Sequence, residues 1–129
     1  MKLLDSFDEL DLPTSIRRSL ETMQFVRPTP IQARAIPPAL AGKDVIGTAA
    51  TGTGKTGAFG VPMLAKLYAE PKITGLVLAP TRELAAQIHE VLHKIGHNTN
   101  MSGALVVGGE SFGRQQRELS RNVDFVVAT

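Results

Sequence analysis

Residues 45–56 read Val45-Ile46-Gly47-Thr48-Ala49-Ala50-Thr51-Gly52-Thr53-Gly54-Lys55-Thr56. A branched, apolar run gives way to a turn of glycines and threonines, and beyond it Ala58, Phe59, Val61, Met63, Leu64 and Leu67 mark a helix. A strand passing into a helix through such a turn suits a phosphate. Gly52 and Gly54 let successive amide N–H groups turn inward around oxyanions, and the new helix aims its positive end at the same charge. Lys55 then suits the β- and γ-phosphates of a nucleotide, and the Thr56 hydroxyl suits Mg²⁺. A charge-assisted contact of the Lys55 kind is worth roughly 1.5–3 kcal/mol. The phosphate-gripping set is Thr51, Gly52, Thr53, Gly54, Lys55 and Thr56, although Ala49 stands where loops of this pattern usually begin with glycine. Pro62 predicts a kink in the following helix.

Outward from the loop, strand and helix patterns alternate. Short apolar runs at Val45 to Ala49, Leu76 to Ala79, Ala104 to Val107 and Phe125 to Ala128 predict four buried strands. Upstream, Ile16, Leu20 and Met23 predict an amphipathic helix over about residues 13–23. A second helix starts at Thr29-Pro30, with Thr29 as N-cap, until Pro37-Pro38 interrupts it and Gly42 ends the segment. The clearest helix runs from Leu84 through Ile88, Val91, Leu92 and Ile95 to a stop at Gly96. This order implies an α/β fold, a parallel sheet flanked by helices, with ligands gathered at the carboxyl ends of the strands. The last strand has no polar tail, as expected of the front part of a longer domain.

Composition sets limits. With 43% apolar residues, a chain of 129 can bury a core, and one domain is expected. The absence of cysteine excludes a disulfide framework, a thiolate metal site and a cysteine nucleophile, and favours a reducing, cytoplasmic setting. The opening stretch, Met1 to Asp11, carries Asp5, Asp8, Glu9 and Asp11 and lacks the apolar core of a signal peptide. A net charge of +2 is too mild to identify a polyanion partner, so any nucleic-acid assignment must rest on motifs.

One such motif lies upstream, in Phe25-Val26-Arg27-Pro28-Thr29-Pro30-Ile31-Gln32. A glutamine amide can donate and accept at once, the paired readout that adenine offers. Taken alone, Gln32 reads as a solvated helix residue. In company it does not: Pro28 to Gln32 resembles the adenine-recognition Q motif of DEAD-box RNA helicases, and Phe7 matches the isolated upstream aromatic that stacks on the base. Ala50 to Thr56 resembles motif I of that family, where alanine at position 49 is ordinary. Pro80-Thr81-Arg82-Glu83-Leu84-Ala85 is similar to motif Ia, Gly108-Gly109 to the glycine doublet, and Ala128-Thr129 to the start of motif Ib. Gln24 departs from the family, standing where glycine is common.

The resemblance implies a RecA-like P-loop domain cut short, with the Q-motif region over about 1–40 and the phosphate loop and partial sheet over about 41–129. It implies ATP and Mg²⁺ as cofactors, with Phe7, Phe25, Thr29 and Gln32 beside the base and Lys55 and Thr56 at the chemistry. RNA would meet Pro80, Thr81, Arg82, Gly108, Gly109 and Thr129 through its backbone, with little sequence preference. In the intact enzyme two such domains would close over ATP and RNA, bend one strand, and reset on hydrolysis. Without the resemblance, Thr81 and Glu83 read simply as a good helix start.

Several other features stay with bland readings. Arg114, Arg117 and Arg121, at spacings of three and four on an expected helix, read as a solvated face, with an RNA-side patch as the alternative. His89, His93 and His97 lack the carboxylate or thiolate partners of a zinc site. A Mg²⁺-holding acid should follow a strand, but Asp44 and Asp124 precede strands, while Glu83 and Glu110 suit capping and loop roles. This span is therefore expected to bind nucleotide weakly at most, with turnover needing further sequence. Competing classes are another P-loop enzyme, a DNA helicase, and a nucleotide-binding module without helicase activity. A GTPase would carry Asn-Lys-x-Asp, which this sequence lacks.

Overall fold

The computed structural model describes residues 3–129; Met1 and Lys2, the start of the acidic opening stretch, lie outside the described residues. A 3₁₀ turn (Phe7–Glu9) leads to α1 (Thr14–Thr22), α2 (Pro30–Leu40), α3 (Lys55–Ala69), β1 (Gly75–Leu78), α4 (Arg82–Ile95), β2 (Gly103–Val106), α5 (Phe112–Ser120) and β3 (Phe125–Ala128). The strands pair in parallel in the order β1-β3-β2, with Gly75 and Gly103 both in register with Phe125. The chain thus steps past one strand position through α4 and returns through α5. Right-handed crossovers in opposite directions send those two helices to opposite faces.

Period-2 alternation divides each strand between the two faces. Phe125 and Val127 point into the core that α3 and α4 cover, with Val61, Leu64, Leu92 and Ile95 buried beside them. The Phe125 ring occupies the space that a side chain at 103 would need, so β2 must begin with glycine. Gly60 plays a similar part between helices, because a methyl there would meet Leu92 at 2.7 Å. On the other face, Leu76 and Leu78 of β1 remain 65% and 71% exposed. Met63 and Leu67, in the later turns of α3, lie against Gly75 at the entering end of β1, so α3 ends at that edge of the sheet.

Three of the four expected strands form. Val45 to Ala49 carries the right residues but makes no ladder, and Ile46 is 99% exposed. Apolar, branched character reports that a segment fits between neighbours, and a strand exists only where another strand exchanges hydrogen bonds with it. No described strand reaches residues 45–49. The two glycines opening β1 and β2 had read as turn residues, which put the expected starts one residue late.

The interruption expected at Pro37-Pro38 does not occur either: α2 continues to Leu40. The prolines remove the N–H groups that would have bonded Ala33 and Arg34, but Ala33, Ala35 and Ile36 remain buried. Past the last helical residue, Ala41 N–H bonds Pro37 O at 3.1 Å, so the helical pattern runs on beyond both prolines. Arg121 falls outside α5, in extended conformation, and so does not share a helical face with Arg114 and Arg117. The stop at Gly96 holds, although with φ −85° it uses no left-handed residue.

The end of α1 shows what the departure at Gln24 means. Gln24 N–H bonds Glu21 O at 3.0 Å and Phe25 N–H bonds Leu20 O at 2.8 Å, the paired bonds of a Schellman cap. That cap needs a left-handed residue, and Gln24 has φ 62°. A side chain there costs about 1–2 kcal/mol, against roughly 0.5–1 kcal/mol of extra chain entropy for glycine. Gln24→Gly is therefore expected to raise stability by about 0.5–1 kcal/mol, read as a higher urea midpoint at unchanged slope.

Candidate nucleotide and nucleic-acid site

The loop 50–54 is shaped from within. Gly52 and Gly54 sit at φ 81° and 87°, and the Thr53 hydroxyl donates to Ala50 O at 2.5 Å, closing the turn on itself. Gly54 is the N-cap of the fifteen-residue helix α3, and its carbonyl accepts from Ala58 N–H at 3.1 Å. Lys55 is the first helical residue and is exposed, while Thr56 is half-buried. The first turn of such a helix leaves N–H groups without helical partners, and its dipole favours an anion. A polyphosphate suits this donor set.

Gln32 is not a solvated helix residue: it is 3% exposed. Its Oε1 accepts from Thr29 N–H at 3.0 Å, the side-chain half of a capping box at the start of α2. Its Nε2 donates to Gly54 O at 3.1 Å. One carboxamide therefore ties the segment Pro28 to Gln32 to the phosphate loop, across 22 residues of sequence. The fit is close: a methyl on Gly54 would meet Nε2 at 2.5 Å and one on Gly57 at 2.7 Å.

Phe25 lies on the same side, with its ring 3.4 Å from where a Gly57 methyl would stand. Phe7 stacks on Phe25 at 6.0 Å and 28° and is only 4% exposed, so it supports Phe25 within the core. Phe25, Thr29 and Gln32 are thus gathered around the base of the phosphate loop, with Phe7 behind Phe25.

The second group of expected residues meets at the carboxyl ends of the strands. Thr81 Oγ1 accepts from Leu84 N–H at 3.2 Å and caps α4, and Glu83 occupies the first turn. Arg82 Nη1 donates to Gly108 O at 3.1 Å, joining the loop after β1 to the loop after β2. Gly109 has φ 81°, and the Arg82 guanidinium fills the space its side chain would take. Thr129 N–H bonds Val106 O at 3.2 Å. Pro80, Thr81, Arg82, Gly108, Gly109 and Thr129 therefore follow β1, β2 and β3 along one edge of the sheet.

His89 bonds Gly103 O at 3.1 Å, whereas His93 and His97 meet edge-on at 6.3 Å beside Lys94 in a groove between α1 and α4. Among the described residues no group of three or more His, Cys, Asp or Glu could hold a metal ion. Asp124 Oδ2 accepts from Ser102 N–H at 2.8 Å at the entering edge, a structural task. Among the described residues no helix is long and apolar enough to cross a membrane. The sequence reading missed Gln115, a glutamine in a polar helix with no periodic or motif signal of its own; its Oε1 accepts from Val107 N–H at 2.6 Å.

A parallel sheet flanked by helices, with a glycine-shaped loop opening α3, defines an α/β protein of the P-loop type. A model of the DEAD/DEAH box helicases matches residues 29–129, and the chain belongs to that family. It is 46% identical over 125 residues to the DEAD-box ATP-dependent RNA helicase CshA of Bacillus licheniformis, covering 96% of this chain and 26% of that protein. With the ATP-dependent rRNA helicase RRP3 of Lodderomyces elongisporus it shares 45% over 127 residues, 98% of this chain and 25% of that one. The chain thus spans about a quarter of the length of these relatives.

Among solved structures, a DEAD box protein of Methanococcus jannaschii superposes with a TM-score of 0.89 at 33% identity, over 96% of this chain and 34% of its own. The RNA helicase Prp28 of Chaetomium thermophilum, bound to ADP, gives 0.89 at 37%, over 100% and 33%.

The double role of Gln32 has a consequence without any ligand. Gln32→Ala would leave Thr29 N–H without its side-chain partner and remove one donor from Gly54 O, at about 1–3 kcal/mol for a buried group left unsatisfied. Urea unfolding of the nucleotide-free protein is expected to show that loss; a midpoint equal to wild type would mean that the bridge contributes nothing.

Proposed function

We propose that this chain is the nucleotide-gripping part of an ATP-dependent RNA helicase that remodels RNA through its backbone. The observation that carries the reading is the Gln32 bridge to Gly54, which sets a residue able to recognise adenine beside the loop able to hold the phosphates. Lys55 would neutralise the β- and γ-phosphates, and Thr56 would contribute one oxygen to Mg²⁺. Mg²⁺, when bound, supplies charge neutralisation at the transferring phosphoryl group. Phe25, backed by Phe7, offers an apolar wall for the base, and Gln32 and Thr29 flank its polar edge. For Gln32 to read the base, its Nε2 must leave Gly54 O or share its donors, so base recognition and loop shape are linked through one amide.

The RNA half of the reading is supported by the shared edge of Arg82, Gly108, Gly109 and Thr129, and by relatives whose names state RNA helicase activity. Contacts of this kind fix register without reading sequence. The limits of the unit, its Q-motif region over about 1–40 and phosphate loop with partial sheet over about 41–129, belong to the same proposal. So does a cytoplasmic setting, which the lack of cysteine favours.

Isothermal calorimetry with ADP and ATP in the presence of Mg²⁺ tests the nucleotide half. Adenine nucleotides are expected to bind and GTP to bind at least tenfold more weakly, with Lys55→Ala costing about an order of magnitude or more in ATP affinity. Equal affinity for ATP and GTP, or no effect of Lys55→Ala, would count against the proposal.

A further inference from the structure

The last residue of β2 and the first two of the loop after it are each held by a different part of the chain. Thr129 N–H, beyond β3, bonds Val106 O at 3.2 Å; Gln115 Oε1, on α5, accepts from Val107 N–H at 2.6 Å; Arg82 Nη1, on α4, donates to Gly108 O at 3.1 Å. Gly109 follows in the left-handed region at φ 81°. Successive residues of this kind turn their N–H groups to one side and form a concavity suited to an anion. Nothing stands within 4 Å of the side-chain position of Gly108, so that flank of the loop is open.

Of the three ties, the one from Gln115 has a distinct chemistry. Helix α5 has no buried residue, and both Phe112 and Leu119 are exposed, so apolar burial does not fix it against β2. Gln115 is half-buried and uses both ends of its amide: Oε1 takes Val107 N–H, and Nε2 donates to Ser111 O at 3.4 Å in the preceding turn. An aspartate would be shorter, a lysine cannot accept, and a methionine matches the shape without the oxygen. We infer that Gln115 is a positioning residue for the Gly108-Gly109 loop: by holding Val107 N–H it fixes the direction in which the two glycine amides face an RNA phosphate. This inference rests on the proposal that the loop meets RNA backbone.

The test combines two readouts on wild type, Gln115→Met and Gln115→Glu. Amide hydrogen exchange reports whether Val107 N–H is held, and fluorescence anisotropy with a labelled oligouridine reports RNA affinity. Gln115→Met is expected to speed exchange at Val107 and weaken oligouridine binding about threefold to tenfold, the size of one net hydrogen bond. Gln115→Glu retains the accepting oxygen and is expected to keep Val107 protected. Weakened binding with Val107 still protected in Gln115→Met would overturn the inference, because Gln115 would then act on RNA directly. Faster exchange with unchanged affinity would overturn it too, as would loss of protection in Gln115→Glu, or a Gln115→Met protein that is unfolded by circular dichroism. If wild type binds no oligouridine while Val107 exchange behaves as described, the RNA reading of the loop itself falls.

Discussion

A buried carboxamide ties the region before residue 41 to the phosphate loop, while Asn98 Nδ2, donating to Ser19 Oγ at 3.1 Å, ties the same region to the end of α4. Gln32 caps the start of α2 through Thr29 and reaches across to the carbonyl of Gly54. The region before residue 41 could otherwise pack against α3 in several ways, since apolar contacts are not directional. Hydrogen bonds with an angle and a length, from Gln32 to Gly54 O and from Asn98 to Ser19, select one of them. Gly54 and Gly57 show how strongly that choice is enforced, because each leaves room for the amide and for nothing larger. The phosphate loop therefore takes its local shape from its own glycines and its orientation from a residue in the preceding helix.

The second edge of the site follows the same logic with weaker parts. Arg82 is exposed, yet one of its nitrogens is engaged by the backbone of the neighbouring loop. The remaining donors of a guanidinium stay available to solvent or a phosphate, since the group carries five in all. A residue that reads as a nucleic-acid contact in sequence is, in the fold, also a brace for a glycine pair 26 positions away. Such double use lets exposed loops keep a defined geometry above the core residues Ala79 and Val107.

Much of this was legible in the residues because it is local. The helix start at Thr29-Pro30, the cap at Thr81, the stop at Gly96 and the strand-like character of 76–78 and 125–128 depend on neighbours within a few positions. The segment Val45 to Ala49 shows where local reading ends: its composition is that of a strand, but pairing is a property of two segments, and the second is not among those described. Pro37 and Pro38 fail as punctuation for the converse reason, since tertiary packing of Ala33, Ala35 and Ile36 outweighs two missing bonds. Gln24 read as a departure from pattern before its cause was visible, a left-handed helix cap. Gln115 carried no signal, because a lone glutamine in a polar helix is the commonest kind of surface residue.

The bare side of β1 bears on the conduct of this polypeptide in a test tube. Its outer flank presents amide and carbonyl groups beside two leucines mostly open to water. Such a flank is a template for any extended chain that meets it, another copy included. Concentrated solutions of these 129 residues should accordingly self-associate in a manner that mild denaturant or a charged substitution at Leu76 relieves, and purification at low protein concentration follows as a practical rule.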